Sequence, residues 1–122
     1  MLYGCGINLT GIATEGAAGT WTQDDQANLF AGTDAGATKD ADTCFNIGIG
    51  QSAGKALNEG DGNIFLGCLA GSKATSGSDN IVMGEDAGCK ISSGNFNVAI
   101  GHLALSSGTV TGGANIAIGE GA

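Results

Sequence analysis

The chain has 122 residues, with 24 glycines, no proline, no arginine, four lysines and a formal charge of −8. That length suits one domain, and the acidity argues against nucleic acid or an anionic membrane surface as partner. Collagen needs proline and a glycine at every third residue, and disorder is at odds with a chain that is 42% hydrophobic.

Residues 1–27 hold only a degenerate unit, around "GINLTG", and read as an irregular cap or attachment segment in which Tyr3 and Trp21 pack. They lack the basic start and long apolar core of a signal peptide. No apolar run in the chain nears the roughly 20 residues of a membrane helix, so membrane insertion is not expected. The glycosylation sequon Asn8-Leu9-Thr10 is a single match of the kind chance produces.

From residue 28 the chain repeats. Asn28, Asn46, Asn63, Asn80, Asn97 and Asn115 each open a unit, at spacings of 18, 17, 17, 17 and 18 residues. Position five is always glycine: Gly32, Gly50, Gly67, Gly84, Gly101 and Gly119. Position eight is always alanine: Ala35, Ala53, Ala70, Ala87, Ala104 and Ala122. Positions two and four share one face of a short strand and are assigned to the core: Leu29, Ile47, Ile49, Ile64, Leu66, Ile81, Met83, Val98, Ile100, Ile116 and Ile118. Position three points the other way and is also apolar or small. A strand apolar on both faces is buried on both, so Phe30, Phe65, Val82, Ala99 and Ala117 are assigned to an inter-chain face.

Seventeen residues are too few for a βαβ unit, which takes about 30, but they suit one turn of a solenoid. The position-five glycine permits a sharp turn, and the alanine permits close approach of a second short strand. Gly60, Gly77 and Gly94 mark return turns, and the stacked asparagines can bond from coil to coil as a ladder. The expected fold is an all-β parallel β-solenoid, or β-roll, with 17–18-residue coils: five full coils and a partial sixth over residues 28–122. So small a core per coil implies stacking and an obligate homo-oligomer. The given chain ends eight residues into the sixth coil, an open edge that either a longer chain or another subunit would cover.

Within this frame "NIGIGQSAGKAL", Asn46 to Leu57, is one coil and not a phosphate loop. Gly50 and Gly54 enclose three residues where a P-loop needs four, and Ala56 stands where a hydroxyl is needed.

Units of the form N-[IV]-x-[IL]-G-x-x-A resemble the head repeats of trimeric autotransporter adhesins and similar repeats of bacteriophage tail fibres. "NIFLGCLAGSKATSGSDNIVMG" and "NVAIGHLALSSGTVTGGANIAIG" look more like the tail-fibre version. The resemblance covers residues 28–122 and implies a left-handed β-roll, three chains about one axis, and a rigid fibre or receptor-binding surface. The stalk, anchor and chaperone domain of such proteins have no counterpart in the given chain.

No catalytic, cofactor or metal site is expected. His102 is a lone histidine in a variable polar column with Thr33, Gln51, Cys68, Glu85 and Glu120. Asp24, Asp25, Asp40, Asp42 and the "NEGDGN" segment read as solvated turns, because calcium needs six to eight oxygen ligands and neighbouring coils do not repeat the acids. Cys5, Cys44, Cys68 and Cys89 form no C-x-x-C pair and read as free thiols. The expected function is a structural and adhesive module of a phage tail fibre or similar virion appendage, with itself as partner, and a receptor or glycan met by positions six and seven and the return loops. A bacterial adhesin head, a filament subunit joined head to tail, and a carbohydrate-binding or carbohydrate-active solenoid are the alternatives. An extracellular or virion-surface location follows from any fibre reading.

Overall fold

A computed structural model describes residues 22–122. Tyr3, Cys5, the Asn8 sequon and Trp21, with the rest of residues 1–21, lie outside the described residues. Each asparagine-led unit contributes one three-residue strand: β1 (Leu29–Ala31), β2 (Ile47–Ile49), β3 (Ile64–Leu66), β4 (Ile81–Met83), β5 (Val98–Ile100) and β6 (Ile116–Ile118). All pair in parallel in chain order, β1-β2-β3-β4-β5-β6. The register follows the repeat, with Ile47 opposite Leu29 and Ile64, and Val82 opposite Phe65 and Ala99. The chain is therefore a parallel β-solenoid of about five turns, and no helix occurs among the described residues.

The two strand faces are the reverse of the assignment made from sequence. Position three points into the coil: Gly48, Phe65, Val82, Ala99 and Ala117 are buried and Phe30 is half-buried within the single chain. These residues cannot form an inter-chain face. Leu29, Ile47, Ile49, Ile64, Leu66, Ile81, Met83, Val98, Ile100, Ile116 and Ile118 point outward and remain half-buried or exposed, so they are not the core of the coil. The reason is parity. Asn at position one is buried, and with a side-chain period of two position three must follow it inward.

The interior has a further column that the sequence reading missed. Leu57, Ala74 and Ile91, at position twelve, are fully buried opposite the strand, together with Ala53, Ala70, Ala87 and Ala104. Sizes compensate in two of the coils, where Gly48 goes with Leu57 and Phe65 with Ala74, while Val82 and Ile91 share a third. Phe30 also fills space above the missing side chain of Gly48, where a Cβ would lie 2.5 Å from the ring. A close-packed cross-section of this width has no room for two more aliphatic side chains.

Among the described residues no second strand forms after the glycine. The chain instead runs through overlapping turns, with Ala53 N–H donating to Gly50 O at 3.1 Å, Lys55 N–H to Ser52 O at 3.2 Å and Leu57 N–H to Gly54 O at 3.1 Å. The third residue of the first two turns, Ser52 and Gly54, has φ near +60°, as type II turns require. Such alternation breaks the extended conformation a strand needs. An isolated parallel bridge, Ile91 with Val110, is the nearest approach to a second sheet among the described residues. Position five needs glycine twice over: Gly50 has φ of +129°, and a Cβ there would lie 2.6 Å from Gly67 C of the next coil.

Candidate interaction face and its amide ladder

What fixes the geometry of any surface on this molecule is the asparagine column. Asn46 Nδ2 and backbone N–H both donate to Asn28 Oδ1, at 3.0 and 2.9 Å. The same two bonds recur from Asn63 to Asn46, Asn80 to Asn63, Asn97 to Asn80 and Asn115 to Asn97. The second amide hydrogen of Asn46, Asn63 and Asn80 goes to the carbonyls of Gly60, Gly77 and Gly94 at 2.8–2.9 Å. Those three glycines thus serve stacking and acceptance: a Cβ on Gly77 would meet Gly94 O of the next coil. No buried side-chain nitrogen or oxygen among the described residues lacks a partner, which removes the usual cost of burying amides.

The first rung is closed by an acid. Asp24 Oδ1 accepts from Asn28 N–H at 2.8 Å, the place that an asparagine oxygen takes in every later coil, and its Oδ2 meets Lys39 Nζ at 2.9 Å. Burial pushes the Asp24 carboxyl upward, but the Lys39 ammonium and the bonds from Asn28 outweigh it and hold its pKa below the usual carboxylate value. A lowered folded pKa means that the stability it contributes is present above the unfolded pKa, about 3.9, and is lost as pH falls through the folded value. Melting temperatures followed from pH 6 to pH 2 should therefore fall less steeply in Asp24→Asn than in the parent. Superimposable profiles would remove Asp24 from the account.

A second, exposed ladder runs two residues before Asn46, Asn63, Asn80 and Asn97 and was not foreseen. Cys44 N–H donates to Asp61 Oδ1, Asp61 N–H to Ser78 Oγ, and Ser78 N–H to Asn95 Oδ1, at 2.7–3.0 Å. The signal is present in the sequence as a run of short oxygen-bearing side chains in one column. Asp40 likewise accepts from Asp42 N–H and Thr43 Oγ1. Asp24, Asp40 and Asp61 are thus occupied in holding turns, and no group of three or more metal-ligating side chains assembles among the described residues.

The outward face is apolar along its whole height. Positions two and four of β1 to β6 carry only Leu, Ala, Ile, Met and Val. An open groove of about 830 Å³ at its upper edge is lined by Thr22, Gln23, Ala27, Leu29, Phe45 and Ile47. Beside the face, position six stacks Glu85, His102 and Glu120 on successive coils, with His102 Nδ1 3.9 Å from Glu120 Oε1. Lys55 and Asp34 pair at 3.3 Å with both side chains half exposed, a contact of little energetic weight.

Cys44, Cys68 and Cys89 are free and half-buried. Desolvation, then the carboxylates of Asp61 and Asp42, push the Cys44 thiol up, and desolvation followed by Asp86 does the same for Cys89. Both stay protonated near neutrality, which makes them poor nucleophiles. Comparison of the chain with protein-family models, with curated proteins and with solved structures finds no match to any of them.

Proposed function

We propose that this chain is a structural and adhesive fibre module, a stiff homo-oligomeric rod, trimeric about a common axis, of the kind that builds a phage tail fibre or similar virion appendage. The observation that carries the reading is an unbroken apolar strand face outside a coil whose interior is already full. A face of that kind on a lone rod would invite association, and a second copy presents the same columns at the same pitch. The rod's mechanics follow from its ladders: strands about 4.8 Å apart set the six strands over about 24 Å, tied at every level by main-chain and amide bonds. The return loops, on the sides away from the strand face, are the surfaces left to meet a receptor or glycan.

Mass measurement under native conditions tests the reading, with three chains expected and a well-folded monomer overturning it. Ile81, 39% exposed in the single chain, supplies the matching variant. Ile81→Asp should yield monomers whose circular dichroism matches the parent, since the charge then faces water in the dissociated chain. An Ile81→Asp protein that stays oligomeric would place the contact elsewhere.

A further inference from the structure

The residue before each asparagine and the residue at position seven both have left-handed backbone. Ala27, Phe45, Asp79, Phe96 and Ala114 lie at φ of 58–64°, and Asp34, Ser52, Leu69, Asp86 and Leu103 at 57–61°. These two columns are the corners at either end of the strand face. Left-handed backbone strains an ordinary L-residue, and most occupants are accordingly small or Asp. Four are not. Phe45 and Phe96 stand at the corner before the strand, 70% and 63% exposed, and Leu69 and Leu103 at the corner after it, each 37% exposed. In the single chain the two phenylalanines combine left-handed backbone with an apolar side chain mostly in the open, and the two leucines leave over a third of theirs uncovered.

We infer that the Phe45–Phe96 edge of one copy packs against the Leu69–Leu103 edge of its neighbour, an inference that rests on the oligomeric reading above. The strand face alone covers less than a standard interface. At about 3.3 Å per residue and 4.8 Å per strand, three residues by six strands cover on the order of 250 Å², against about 800 Å² per partner in a standard interface. The corners extend that face, and four of their positions carry bulky side chains. In their bulky occupants the two edges are unlike, aromatic before the strand and aliphatic after it. Contact therefore runs from one edge to the opposite edge, the heterologous arrangement that closes into a ring. Phe96 and Leu103 flank the same strand, β5, so in parallel, unstaggered copies they meet at one height. Strain at these positions is then offset by burial in the assembly.

The test uses two differently tagged full-length chains in which the native cysteines are replaced by serine, one with Phe96→Cys and the other with Leu103→Cys. They are refolded together and oxidised. Disulfides joining the two tags should dominate by at least about tenfold over links within either tag, the discrimination that 1.4 kcal/mol gives. Predominance of same-tag links would mean like edges meet and would overturn the inference. An oligomer of the expected mass with no cross-link would overturn it too while leaving the fibre reading intact. A folded monomer would remove both. Phe96→Gly, with the native cysteines, should weaken association roughly tenfold or more without lowering the monomer's melting temperature, because it relieves strain. Unchanged association would count against the inference.

Discussion

Val82→Asp is expected to unfold the chain, whereas Ile81→Asp, one residue earlier, should leave the fold intact and, in the oligomer proposed above, separate the copies. Val82 is fully buried between the side chains of its own coil and pairs in register with Phe65 and Ala99. A carboxylate there has no cation to meet: Lys73 and Lys90, the lysines of its neighbourhood in sequence, are exposed and half-buried on the outside of the coil. An unpaired buried charge costs several kcal/mol, a large share of the 5–15 kcal/mol that holds a typical domain folded. Loss of cooperative melting and of the β-sheet circular dichroism signal at pH 7 is the expected result, with partial recovery in acid, where the carboxyl is neutral. A Val82→Asp protein with the parent's melting temperature would show that position three does not point inward.

Asn63→Ala should be nearly as damaging, although it removes only three side-chain heavy atoms and introduces none. Asn63 Oδ1 accepts from Asn80 N–H at 3.0 Å and Asn80 Nδ2 at 2.9 Å, and its Nδ2 donates to Asn46 Oδ1 and Gly77 O. Truncation leaves the Asn80 N–H and the Gly77 carbonyl without these partners in a closed interior. At about 1–3 kcal/mol for each orphaned group, the loss comes to roughly 2–6 kcal/mol, with a cavity in addition. Asn115→Ala is the control. Its bonds run only to Asn97 Oδ1 and weakly to Gly112 O, and its side is open, so about 1 kcal/mol is expected. Chemical denaturation of the two variants checks the contrast, and equal losses at both positions would contradict a ladder that matters most where it is buried.

The repeat made the fold legible. Six asparagines at a 17–18-residue period sufficed to place every strand, because a solenoid turns sequence period directly into register. The inside and the outside were harder to tell apart. Ile47, Ile64 and Ile81 are larger and more uniform than Gly48, Phe65 and Val82, and a hydrophobicity argument sends the uniform column to the core. The parity of Asn46, Asn63 and Asn80 carries the opposite message, since a buried amide drags position three inward with it. Position twelve escaped notice because Leu57, Ala74 and Ile91 differ in size, and only the facing Gly48, Phe65 and Val82 explain why. The second strand failed because glycine and alanine were read for the space they free and not for the left-handed backbone at Ser52 and Gly54. The corner residues Phe45, Phe96, Leu69 and Leu103 carry no periodic signal, so their placement came from the backbone angles alone.

The side-chain ladder also gives the rod a direction. Every Asn carbonyl faces the following coil and every amide hydrogen bonded to it faces back, so the side-chain dipoles add instead of cancelling, and such chains polarise one another. The donor end lies at Asn28, where the Asp24 carboxylate sits, much as an acid settles at the positive end of a helix. Copies packed around a common axis would then all carry their positive poles at the same tip.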